Sequence, residues 1–136
     1  MRGGSARLAL AILVVAGLVA CRPAQAEDRM RIVEVTIHYS RFTPSALTFE
    51  PGTTVRFEIR NTDPIDHEFI LGNEEVQAVH ERGTEAHHGA RPGEISIPAG
   101  TTRTTTYTFA ERGALIFGCH FPGHYAFGMR GTVTAA

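Results

Sequence analysis

The sequence predicts an all-β domain, an antiparallel β-sandwich, on three observations. Short segments alternate apolar and polar residues with a period of two, as in Val55-Arg56-Phe57-Glu58-Ile59-Arg60, the pattern of a strand with one face in a core. Pro and Gly turn signals punctuate the chain at short intervals, as in Glu50-Pro51-Gly52-Thr53 and Pro98-Ala99-Gly100. Hydrophobic residues at 43% and charged residues at 20% fit a folded globular chain and exclude a disordered one.

The elements follow in order. Arg31 to Tyr39 is a first strand with Val33, Val35, Ile37 and Tyr39 on one face. Val55 to Arg60 is the second clear strand, closed by Asn61-Thr62-Asp63-Pro64. His67 to Leu71 is short and largely apolar, and Ile95 and Ile97 alternate before the Pro98 turn. Thr102 to Phe109 is β-branched and aromatic, with Thr105, Tyr107 and Phe109 on one side. Glu111-Arg112-Gly113 turns into a strand from Ala114 to Cys119, and Met129 to Thr134 is the last. One segment breaks the pattern. Residues 73–93 are polar and long for a connection inside a compact domain. Within them Glu74 to Arg82 has helical spacing, with Val76, Val79 and His80 on one face. His80, His87 and His88 read as solvated loop side chains, and Glu74, Glu75, Glu81 and Glu85 as a solvated acidic face.

Ahead of the strands, Arg2 and Arg7 precede an apolar run from Leu8 to Ala20. That run is too short for a permanent membrane helix and suits a secretory signal. Two processing sites compete. Ala24-Gln25-Ala26 fits signal peptidase and divides the chain into a signal peptide, 1–26, and a single domain, 27–136. Leu18-Val19-Ala20-Cys21 fits a bacterial lipobox, which would lipidate Cys21 and tether the protein. Soluble release is the preferred expectation, in the periplasm or cell envelope, with membrane contact only if Cys21 is lipidated.

Thirteen basic and fourteen acidic side chains leave a formal net charge of -1, which excludes a basic nucleic-acid surface. Every basic residue is Arg, so no Schiff-base or P-loop lysine exists. Of two Cys, one lies in the export region, which excludes a disulfide scaffold. Nothing resembles a Ser/His/Asp nucleophile set, so no enzyme activity is expected.

The chemistry gathers at the C-terminal end, in Gly118-Cys119-His120-Phe121-Pro122-Gly123-His124-Tyr125-Ala126-Phe127-Gly128-Met129. Cys119, His124 and Met129 follow one another at spacings of five on one loop between two strands. Soft sulfur with imidazole selects copper or zinc over hard cations, and a Cys with two His in a plane and a distant Met is the blue-copper set. The second His must come from elsewhere, and His67, at the start of a strand, is the candidate. Pro122-Gly123 allows the tight turn that returns His124 towards Cys119. Phe121, Tyr125 and Phe127 surround the metal with apolar surface, which limits water.

This stretch resembles the cupredoxin family, in its azurin, auracyanin and rusticyanin branch, through Cys119-x-x-Pro122-Gly123-His124 followed by Met129. Phe42-Thr43-Pro44, Phe49-x-Pro51-Gly52 and Val55-x-Phe57-x-Ile59-x-Asn61 also resemble strands that lead to the first His of that family. The resemblance covers about Met30 to Val133. It implies a Greek-key sandwich, one type 1 copper held by His67, Cys119, His124 and Met129, and one-electron transfer between redox protein partners by a monomer. The chain departs from the pattern at Glu68, where relatives place Asn or Ser, at His120, and in the long polar insertion. Copper tolerance or sequestration, using the same site plus the His-containing insertion, is the alternative. Structural zinc on Cys119, His120 and His124, and a metal-free interaction module, are further rivals.

Overall fold

The computed structural model describes residues 30–83 and 86–136. The expected signal peptide, the Cys21 lipobox and Glu85 lie outside the described residues. The elements are β1 Met30–Ile37, β2 Phe42–Thr43, β3 Ala46–Phe49, β4 Thr53–Asn61, β5 His67–Gly72, α1 Glu74–Glu81, β6 Glu94–Ile97, β7 Thr102–Phe109, β8 Gly113–Gly118 and β9 Arg130–Ala135.

They form two sheets, ordered β2-β1-β4-β7 and β3-β9-β8-β5-β6. Both sheets are mixed, which corrects the wholly antiparallel expectation: β1 runs parallel to β4, and β3 parallel to β9. The cause is connectivity. The chain leaves the first sheet after β2, visits the second as β3, and comes back as β4 without the hairpin reversal that an antiparallel neighbour needs. Hairpin-like neighbours such as β8 and β9 remain antiparallel.

Alternation places the core as the pattern requires. Val55, Phe57 and Ile59 of β4 are fully buried, and Phe69, Phe117 and Val133 meet them from the other sheet. Phe57 and Phe69 lie 5.2 Å apart between ring centroids, Phe69 stacks on Phe117 at 5.1 Å, and Phe42 meets Phe117 edge-on at 5.3 Å. Such pairs contribute about 0.5–1.5 kcal/mol each beyond their buried area. β1 ends at Ile37, so Tyr39 leaves the apolar face; it is 81% exposed in a left-handed backbone at φ 50°.

Every residue of β5 is buried. One face looks into the sandwich, and the other lies under the 73–93 segment. Asn73 caps α1 by accepting a hydrogen bond from the Val76 N–H, and Glu74 and Glu75 complement the positive end of the helix. The helix forms where spacing places it, and its buried face keeps His80 and the half-buried Val76 of the expected face but takes Gln77 in place of Val79. Val79 is exposed, while Gln77 and His80 are buried. The Gln77 amide donates to the carbonyls of Ile70 at 3.1 Å and Ile116 at 2.9 Å, tying α1 to β5 and β8. His80 and the His88 side chain are shut off from water, which corrects the solvated-loop expectation; His87 is exposed. The reason is a polar cover on a polar floor, with each imidazole facing a carboxylate.

Candidate metal centre

Three elements end at one point. His67 opens β5, Cys119 directly follows β8, and Met129 directly precedes β9. β5 and β8 are paired, with Ile70 opposite Gly118, so the first imidazole and the thiol emerge at the same end of one sheet.

The loop between Cys119 and Met129 is folded by its own backbone. The His124 N–H donates to the Phe121 carbonyl at 2.9 Å, closing a turn with Pro122 and Gly123 at its centre. Gly123 has φ 83°, the left-handed value that the third position of such a turn demands. The Met129 N–H then donates to the His124 carbonyl, and the Cys119 N–H to the Met129 carbonyl at 3.1 Å. Cys119, His124 and Met129 are therefore locked to one another before any side chain is considered.

The donors converge. Cys119 Sγ lies 3.4 Å from His124 Nδ1 and 3.9 Å from His67 Nδ1. These three ligand atoms all fall within 4.8 Å of one another. Bonds of ~2.0 Å to nitrogen and ~2.3 Å to sulfur at trigonal angles put the two atoms about 3.7 Å apart, and the observed values straddle that. His67, Cys119 and Met129 are each fully buried, and His124 is half-buried. The donor set combines soft sulfur with imidazole and is buried except at His124, so the residues fit a copper ion.

The tautomer of His67 is fixed from behind. Its Nε2 donates to Asp63 Oδ2 at 2.9 Å, leaving Nδ1 with a free lone pair towards the thiol. Asp63 also accepts from the backbone N–H groups of Tyr39 at 2.7 Å and Ser40 at 2.8 Å. Burial alone would raise the Asp63 carboxyl, but these hydrogen bonds and His67 outweigh it and hold it below 3.8. Asn61, almost fully buried, holds the loop in turn: its amide donates to the carbonyls of Ile65 and Ile97, and its Oδ1 accepts from the Asp63 N–H. Asp63, which holds the candidate ligand His67, and Asn61, which holds the Asp63 loop, are positioning residues that sequence reasoning missed. Asn61-Thr62-Asp63-Pro64 reads as a turn, and the signal available was an Asp four residues before the candidate His.

The thiol is costly to ionise. Burial pushes it up to about 11 from 9.0, the nearby Glu68 charge adds to the rise, and hydrogen bonds from the backbone of Phe121 and Glu68 oppose it. Burial also lowers the His124 imidazole below its ordinary 6.5, helped by His67 and opposed by Glu68 and Asp63.

His120 stands apart from this group. Its Nδ1 meets Glu81 Oε2 at 2.8 Å and its Nε2 meets Gln77 Oε1 at 2.8 Å, while its ring stacks on Tyr125 at 4.6 Å. Both nitrogens are engaged away from Cys119, so the zinc grouping of Cys119, His120 and His124 does not assemble. Glu68, the departure noted in the sequence, is buried, and its Oε1 accepts from the His120 N–H at 2.8 Å.

Comparison with known proteins bears on this geometry. The cupredoxin-like domain family matches residues 9–135. The copper-resistant cuproprotein CopI of Rubrivivax gelatinosus is 34% identical over 116 residues, covering 82% of this chain and 70% of that protein. The protein of the same name from Pseudomonas aeruginosa is 28% identical over 145 residues, covering 83% and 80%. Among solved structures, auracyanin B aligns with a TM-score of 0.63 at 24% identity, over 77% of this chain and 88% of that one. The reduced auracyanin of Roseiflexus castenholzii aligns with a TM-score of 0.60 at 25% identity, over 77% and 96%.

Proposed function

The chain belongs to the cupredoxin-like family and binds copper, and from that premise we propose that it serves copper tolerance in the cell envelope, capturing the ion at His67, Cys119, His124 and Met129. The observation that carries this reading is the convergence of a buried thiol and two imidazoles on one point, at 3.4 and 3.9 Å. The relatives that match over most of their length are named for copper resistance, which supports tolerance ahead of electron carriage as the purpose of the site.

When bound, copper supplies a centre that is stable as both Cu(I) and Cu(II). The chain's own residues do the rest. Asp63 holds His67 with Nδ1 turned to the ion, and the Pro122-Gly123 turn holds His124 opposite. Complete burial of His67, Cys119 and Met129 keeps water from the donors. Residues 1–26 direct export, with release or tethering at Cys21 as the two outcomes, and the exported chain works as a monomer.

The test is a copper-sensitivity assay in a strain lacking the gene. Wild type restores growth at elevated copper and Cys119→Ser does not. Equal rescue by Cys119→Ser would remove the site from the function.

One observation favours a second reading, electron exchange with a redox protein. Among His67, Cys119, His124 and Met129, His124 is the one not fully buried, and Phe127 on its loop is 79% exposed. An apolar side chain beside a reachable ligand suits a transient redox contact. Fast reversible voltammetry together with unchanged copper tolerance in the gene-deleted strain would put this reading first.

A further inference from the structure

A second cluster of ligating side chains lies outside the site just described, under the insertion. His80 sits in the last turn of α1, Glu94 opens β6, and His88 lies on the segment between them. All three side chains are 10% exposed or less. The segment holds His88 in place: its N–H donates to Ser96 Oγ at 2.8 Å, and its carbonyl accepts from the Ser96 N–H at 3.1 Å.

His80 has one nitrogen hydrogen-bonded and one turned to Glu94, and each nitrogen of His88 faces a carboxylate. His80 Nδ1 donates to the Val76 carbonyl at 2.8 Å, which leaves the lone pair on Nε2, 3.6 Å from Glu94 Oε2. His88 Nε2 faces Glu68 Oε2 at 3.4 Å, and His88 Nδ1 lies 3.7 Å from Glu94 Oε2. That Nδ1 is buried and has no hydrogen-bond partner, a state that proteins rarely leave unexplained. Arg91, largely exposed, approaches the same Glu94 Oε2 at 3.9 Å.

The spacing decides between two explanations. Ion pairs between imidazole and carboxylate close to about 2.7–2.9 Å. Two ligands on a common ion, each about 2.1 Å from it, stand about 3.4–3.6 Å apart at tetrahedral to trigonal angles. The two contacts to Glu94, at 3.6 and 3.7 Å, lie at or just beyond the second spacing and well outside the first, and the His88–Glu68 contact at 3.4 Å is likewise longer than a closed ion pair. The backbone carbonyl bonded to His80 Nδ1 is a partner of the kind that orients metal-ligating histidines, and Glu68 stands behind His88 at 3.4 Å.

We propose that His80, His88 and Glu94 form a second metal site, for a borderline divalent cation of the Cu(II) class. Two imidazoles and a carboxylate suit Cu(II), which binds such donors more tightly than the other first-row divalent ions. Glu68 connects the two centres: it follows His67, its Oε1 accepts from the His120 N–H beside Cys119, and its Oε2 faces His88. The second site extends the tolerance reading to two coppers per chain, yet it stands on its own geometry.

The test is Cu(II) titration of the purified full chain, followed by dialysis, metal analysis, optical absorption and EPR. Wild type should retain two coppers, one with the thiolate-to-copper absorption and one with the wide hyperfine splitting of nitrogen and oxygen ligands. Glu94→Gln, which keeps size and polarity, should weaken the second copper at least about tenfold and leave the absorption intact, so the coloured centre reports folding. His88→Ala should do the same. Cys119→Ser should lose the coloured copper and keep the other, so failure of the first site and of the second are read separately. One copper per wild-type chain at full colour would overturn the proposal, as would an unweakened second copper in Glu94→Gln.

Discussion

Raising the pH should tighten Cu(I) binding by about tenfold per unit from pH 7 to pH 10. At the proposed site copper would take Cys119 as the thiolate, and burial pushes that thiol up to about 11, with Glu68 adding to the rise against the backbone hydrogen bonds that oppose it. At pH 7 about one chain in ten thousand then carries the thiolate, so expelling the proton costs about 5 kcal/mol of the binding free energy. The His124 imidazole is already neutral across this window, because burial and then His67 hold it below 6.5. A thiol left at 9.0 would give the same slope only up to about pH 8. Between pH 9 and 10 it would gain less than about twofold, where the buried thiol gains about tenfold. Anaerobic competition against a coloured Cu(I) chelator of known protonation reads the slope, and calorimetry at pH 8 in buffers of different ionisation enthalpy counts the proton released. A plateau at pH 9, or less than one proton released per copper, refutes the buried-thiol account.

Three further outcomes follow from the same structure. Asp63→Asn supplies one oxygen where two backbone N–H groups and His67 now find a carboxylate; urea unfolding should show a loss of about 1–3 kcal/mol, and copper affinity should fall about 10–100-fold. In Gly131→Ala the new Cβ runs into the Phe117 ring and lies 2.5 Å from the Ser45 carbonyl; overpacking of this kind costs about 1–3 kcal/mol, read as a lower urea midpoint. The metal-free protein should lose stability in alkali. A thiol whose folded value is raised from 9.0 to about 11 stabilises the fold fully below pH 9, and that contribution of about 3 kcal/mol disappears as pH passes 11; Cys119→Ser should lack this loss.

The strands and the loop that carries Cys119, His124 and Met129 were legible because both are local patterns. Period-two alternation places Val55, Phe57 and Ile59 in the core without reference to any partner. The loop from Cys119 to Met129 carries its own fold in its own residues, since the Pro122-Gly123 turn and the two backbone bonds around Met129 need nothing else. His67 was harder, being held by a carboxylate whose role depends on Tyr39 and Ser40, more than twenty residues away. A turn motif cannot disclose such a partner. The parallel pairing of β1 with β4 was hidden for the same reason: it is a property of how the chain crosses between sheets.

The insertion was misread on a different ground. Hydropathy separates water from oil, and it cannot separate a polar segment in solvent from one laid against other polar groups. His80, His88, Glu68, Glu94 and Gln77 are all polar, and all five side chains are withdrawn from water. The clue stood in the neighbouring strand. His67 to Leu71 shows no clean alternation, and a strand without alternation is covered on both faces. One cover is the opposite sheet. The other had to come from a segment near enough in sequence to fold back, and residues 73–93 connect that strand to its partner β6. The cover is therefore polar where it meets the buried Glu68, and a buried carboxylate requires charged or hydrogen-bonding partners. Histidines from the insertion meet that requirement, which brings two imidazoles and two carboxylates together within reach of the Cys119 loop.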